Sequence, residues 1–100
     1  MSAPQYVLRL YVAGATPASS RAVVNARRYC EQHLAGRYRL EILNIIEHVA
    51  QAAKDEVVAA PMLIKVAPRP TRRFIGDLTD THGLAAALLP EIMAVPDGTA

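Results

Sequence analysis

Apolar residues dominate the start of the chain almost without a break: residues 6–12 read YVLRLYV, with Arg9 as the one charge. A run of that kind suits a strand covered on both faces, as in a parallel or mixed sheet. Gly14 then offers backbone angles that a Cβ disfavours, Thr16 can cap a helix, and Pro17 fits its first position. Beyond them the spacing changes from strand to helix. Ala22, Val23, Ala26, Cys30 and Leu34 form an inward stripe over residues 17–34, with Arg21, Arg27, Arg28 and Glu31 mostly outside. Gly36 ends that helix.

Residues 38–46 return to strand character, Tyr38, Leu40, Ile42 and Asn44 alternating with Arg39, Glu41 and Leu43. Residues 47–60 are rich in Ala, Glu, Gln and Lys and predict a helix of two to three turns. Pro61 holds Ala60 extended. Strands are expected over 62–66 and 72–75, joined by a turn at Pro68, Arg69 and Pro70, with Gly76 and Asp77 ending the second.

In the last segment Thr79 and Asp80 are good helix caps, and LAAALLPEIM, residues 84–93, places Leu84, Leu88 and Ile92 on one face. A helix is expected there, although Gly83 costs about 1 kcal/mol relative to alanine and an interior Pro90 about 3 kcal/mol, so a kink or an early end near Leu89 goes with it. The order is β-α-β-α-β-β-α. A right-handed crossover makes the first two strands parallel, and a hairpin joins the last two. The expected fold is α/β and thioredoxin-like, a four-stranded mixed sheet in one domain, with residues 1–4 and 96–100 frayed.

Composition narrows the chemistry. Apolar types make up 52% of the 100 residues and charged types 20%, which fits a folded domain. No apolar stretch approaches the ~18 residues of a membrane span, and no leader pattern opens the chain, so a cytoplasmic location is expected. Cys30 is the single cysteine. An internal disulfide, a CxxC redox pair and a cysteine-rich zinc site are therefore excluded. His33, His48 and His82 show no ligand spacing, and Asp77 and Asp80 sit at a helix start where capping accounts for them. Tyr11 and Tyr38 read equally as interface aromatics or as half-buried sheet residues. No cofactor is implied.

Leu8, Leu10 to Gly14, Thr16 and Pro17, followed by Pro61, Leu63, Lys65, Val66, Pro68, Pro70, Arg72, Arg73 and Ile75 to Leu78, resemble the KaiB circadian-clock family over residues 6–80. The resemblance implies a binding protein, not an enzyme. Members attach to the N-terminal ATPase ring of a KaiC hexamer, displace a KaiB-like sensor kinase and, in cyanobacteria, sequester KaiA. The family is also metamorphic: a ground state, often a homo-oligomer, rearranges the C-terminal half, and the partner-binding state is thioredoxin-like. That ground-state arrangement is the alternative fold. The Gly14, Thr16, Pro17 loop then connects and positions surfaces without chemistry of its own, and a cis Ala60–Pro61 bond is expected ahead of the third strand.

Several positions depart from the family pattern. Ala87 and Leu89 replace a glycine and an aspartate and favour helix, Gly83 and Pro90 oppose them, and Pro61 completes the set of fold-switch positions. Arg39 and Glu41 replace the Ala and Lys of the KaiA-facing edge, and charge reversal penalises that partner. Glu56 replaces a lysine in the second helix, and the acidic C-terminal tail is absent.

Lys65, Arg69, Arg72 and Arg73 put four positive charges into nine residues with no acid between them. With Glu56 they form the expected partner-binding edge for an acidic protein surface. No aromatics alternate with these charges, which argues against nucleic acid. Two other readings are carried forward: a sensor domain detached from a histidine kinase, and a cysteine-less thioredoxin-like protein of other function.

Overall fold

Strand β1, Tyr6–Val12, sits inside the sheet, as its apolar sequence requires. A computed structural model describes residues 5–79 of the chain. Four strands lie in the order β2-β1-β3-β4, where β2 is Tyr38–Asn44, β3 Met62–Ala67 and β4 Arg72–Ile75. β1 pairs parallel with β2, Tyr6 opposite Tyr38 and Val12 opposite Asn44. It pairs antiparallel with β3, and β3 with β4.

The pleat sorts side chains to two apolar layers. Tyr6, Leu8, Leu10 and Val12 point to one face, where Leu63 and the inward stripe of helix α1 (Pro17–His33) cover them: Ala22, Ala26, Tyr29 and Cys30. Tyr11, Met62 and Ile64 point to the other, under Leu43, Ile45, Ala52 and Val57. Burial of both faces of β1 and β3 is the main apolar contribution to the fold.

Helix α1 begins and ends as its sequence predicts. Thr16 is the N-cap, its hydroxyl accepting the Ser19 N–H at 3.3 Å, and Pro17 follows. At the other end the Arg37 guanidinium donates to the His33 carbonyl at 2.9 Å.

The second helix is much shorter than the sequence suggests. α2 spans only Val49–Lys54. β2 stops at Asn44, whose side chain accepts the Ile46 N–H and whose carbonyl accepts from Glu47 and His48. Asn44 therefore nucleates a turn in which Glu47 and His48 precede the helix. At the far end, Glu56 N–H donates to the Ala53 carbonyl at 3.1 Å and Val57 N–H to the Ala52 carbonyl at 3.0 Å. With Glu56 at φ 57°, this is a Schellman stop, and it overrides the helix propensity of residues 55–60.

The Ala60–Pro61, Ala67–Pro68 and Arg69–Pro70 peptides are all cis; only the first was expected. The predicted third helix, with Gly83, Ala87, Leu89 and Pro90, lies outside the described residues, as do Asp80 and His82.

Candidate partner-docking surface

The proline-flanked turn after β3 and the outer strand β4 carry the arginines to one edge of the sheet, where alternation sends Arg73, opposite Ile64, to the α2 face and Arg72, opposite Lys65, to the α1 face. Arg69, Arg72 and Arg73 are all exposed, and the side chains of Arg69 and Arg72 make no hydrogen bond or ion pair with another described residue. Arg73 reaches across to α2, Nη2 donating to the Asp55 carbonyl at 3.0 Å. Glu56, the next residue, is exposed at the helix stop.

Lys65 does not join this rim. It is 1% exposed, so the expected patch of four solvated charges is corrected to three. Alternation along β3 gives the reason: Leu63 faces the α1 layer, and Lys65, two residues on, lies between Leu8 and Arg72 in the sheet register. Burial, and then the neighbouring Arg72 charge, hold its ammonium below the usual lysine range.

Beside the arginine rim is an apolar surface that sequence reasoning missed. Ile46, Val49 and Val58 are 75%, 67% and 82% exposed, around a groove lined by Ile45, Ala52, Val57 and Ala60 among others. A longer helix would have turned part of this stretch inward; the early stop leaves Val58 and Ala59 in open chain. The available signal was VVAAP, residues 57–61, five residues without a polar side chain.

Beneath that surface a charged cluster fixes α2 to the sheet. Arg9 Nε donates to Glu41 Oε1 at 3.0 Å, and its Nη1 lies 3.2 Å from Asp55 Oδ2. The Tyr11 hydroxyl donates a short hydrogen bond to the same carboxylate, and Gln51 Nε2 donates to it at 3.3 Å. Glu41 also accepts from Arg39 at 3.1 Å. Asp55 is held below the ordinary carboxylate range: burial opposes this, but the bonds from Tyr11 and Gln51 and the Arg9 charge outweigh it. Tyr11 is fully buried here and is not an interface residue.

The β1–α1 junction is built without reactive groups. Gly14 takes φ 63° on the surface, and the Ser19 hydroxyl accepts the Ala13 N–H at 3.0 Å. Cys30 is buried in the α1 layer, its thiol pushed up to about 12 by burial and then by Glu31. Asp77 binds the Arg21 guanidinium at 2.9 Å and accepts from Thr79, while its own carbonyl accepts from Asn25, so it ties β4 to α1. His33 packs on the Tyr29 ring, centroids 4.6 Å apart, and His48 is exposed ahead of α2. Half-buried Tyr38 donates to Glu31. No group of three metal-ligating side chains occurs among the described residues. No helix among them is long and apolar enough to cross a membrane.

The KaiB domain family matches residues 9–90 of this chain. The chain belongs to the KaiB family. Its relatives include the circadian clock oscillator protein KaiB of Gloeothece citriformis, 44% identical over 83 residues, covering 83% of this chain and 78% of that one. The KaiB of Trichodesmium erythraeum is 43% identical over the same length, covering 83% of this chain and 80% of its own. Among solved structures, the N-terminal domain of Synechococcus elongatus SasA superposes with a TM-score of 0.71 at 23% identity, covering 90% of this chain and 89% of that one. Mitochondrial thioredoxin 3 of Saccharomyces cerevisiae gives 0.69 at 13% identity, covering 85% of this chain and 77% of its own. The fold is thioredoxin-like.

Proposed function

We propose that this KaiB family member is a non-enzymatic interaction module that docks on the ATPase ring of a KaiC-type hexamer in the thioredoxin-like state described here. The observation that carries the reading is the exposed Ile46, Val49 and Val58 surface beside α2, to which Arg73 of the outer strand is bonded. An apolar centre supplies the area removed from water, and a charged border sets orientation and encounter rate. Such a surface fits an acidic, partly apolar face of a larger protein.

KaiA is a poorer fit. On the outer strand β2, Glu41 is already engaged by Arg9 and Arg39, and its charge is opposite to the family residue at that edge. Fold switching enters the proposal through the family alone, with Pro61, Gly83, Ala87, Leu89 and Pro90 as the positions to vary.

The test is to mix the protein with a KaiC-family hexamer and ATP, and to follow the complex by size exclusion. Co-elution that is lost in Val49→Asp/Val58→Asp, a variant that keeps the fold, supports the reading. Absence of a complex under every nucleotide condition refutes it.

A further inference from the structure

Asp55 is the point at which the α2 segment is attached to the sheet by polar bonds, from β1 and β4. Arg9 and Tyr11 reach it from β1, and Gln51 from one turn earlier on α2. Glu41 on β2 shares the Arg9 guanidinium and is itself paired with Arg39, while Arg73 on β4 binds the Asp55 main-chain carbonyl and not the carboxylate. From β3 the facing side chains are Met62 and Ile64, which carry no charge, and ahead of α2 His48 lines a hollow together with Arg9, Glu41 and Gln51. The Asp55 side chain is 17% exposed and that of Arg9 24%. Apolar attachment of the helix itself is thin, since none of the six residues of α2 is fully buried.

We infer that Asp55 is a positioning residue for the docking surface, an acid-releasable latch that holds α2 against the sheet. Protonating the carboxylate replaces an acceptor of three donors by a group that is itself a donor. The Arg9 guanidinium is then left with Glu41 alone. With so few buried apolar groups, α2 opens while β1, β3 and α1 stay packed. The sign follows from the depressed carboxylate: the latch is complete above the ordinary carboxylate range and is lost as pH falls through and below it, under about pH 4.

That the released face is partner-facing rests on the function proposed above; the latch does not, and its test uses no partner. Amide hydrogen exchange of the full chain at a series of pH values, corrected for the intrinsic rate, reads α2 and β1 separately. The expected result is that protection of Ala52 and Asp55 amides falls several-fold, up to about ninefold, between pH 6 and pH 3 while β1 protection persists. In Asp55→Asn the same amides should be weakly protected at pH 6 and insensitive to acid. Arg9→Met, which removes one donor and keeps the carboxylate, should lie between. Equal acid response of α2 and β1, or α2 protection in Asp55→Asn matching the parent at pH 6, overturns the inference. Should the latch hold and the KaiC-type complex not form, the function fails and the latch stands.

Discussion

Arg73 on the outer strand donates to the main-chain carbonyl of Asp55, 3.0 Å away at the end of α2. It is thereby both a rim charge and a brace, whereas Arg69 and Arg72 are rim charges only. Arg73→Ala should lower stability by about 0.5–1 kcal/mol and weaken docking. Arg69→Ala and Arg72→Ala should stay within about 0.5 kcal/mol of the parent, slow association with a KaiC-type ring and flatten its salt dependence. Urea unfolding and association rates at two salt concentrations separate the two behaviours; equal stability losses in all three would show that Arg73 is no brace.

Glu56 occupies the left-handed position of the Schellman stop at φ 57°. A side chain with a Cβ costs about 1 kcal/mol there and glycine does not. Glu56→Gly should therefore raise stability by about 0.5–1 kcal/mol, despite the loosening of the unfolded chain. A fall in the unfolding midpoint would mean that the stop is set by something other than this residue's backbone.

The Tyr29 hydroxyl is buried and has no hydrogen-bond partner among the described residues. A buried donor left unpaired costs about 1–3 kcal/mol, so Tyr29→Phe should be neutral or stabilising by about 1 kcal/mol. Destabilisation beyond about 1 kcal/mol would point to a water or another group bonded there.

Tyr11, Tyr29 and Tyr38 are each pushed up to about 12, though for different reasons: burial and then Asp55 for Tyr11, burial and then Cys30 for Tyr29, and first the Glu31 hydrogen bond for Tyr38. All three raised values favour the protonated phenol in the fold. Their contribution is complete below the ordinary tyrosine value near 10 and is lost as pH rises through 12. The tyrosinate absorbance of these three in the native protein, read against a Tyr6→Phe background, should stay small up to about pH 11, and that of the urea-unfolded protein should rise near pH 10. Superimposable curves would sink the prediction.

Strand β1 and helix α1 were readable because their signals are local and agree with one another. YVLRLYV permits little but a covered strand, and Thr16-Pro17 caps the helix that the stripe from Ala22 to Leu34 requires. Propensity overextends helix α2 because it sums over a window, whereas the helix end is decided by one residue, Glu56, in an unusual backbone state. Counting charges along the sequence puts Lys65 on the rim, whereas the period of two through Leu63 turns it inward. Arg9 stood out as a lone charge in a covered strand, yet its partners Glu41 and Asp55 lie 32 and 46 residues away, a distance no local pattern spans.

The turn that opens α1 has one further consequence. Thr16 and Ser19 stand three apart, the interval at which a redox protein would carry two sulfurs, and both hydroxyls are already engaged by backbone amides. A doubly substituted Thr16→Cys/Ser19→Cys chain would give this scaffold an electron-transferring pair, at the loss of the bonds that now shape the bend. In the native chain this bend holds hydroxyls alone, and a change of redox potential leaves its two bonds as they are.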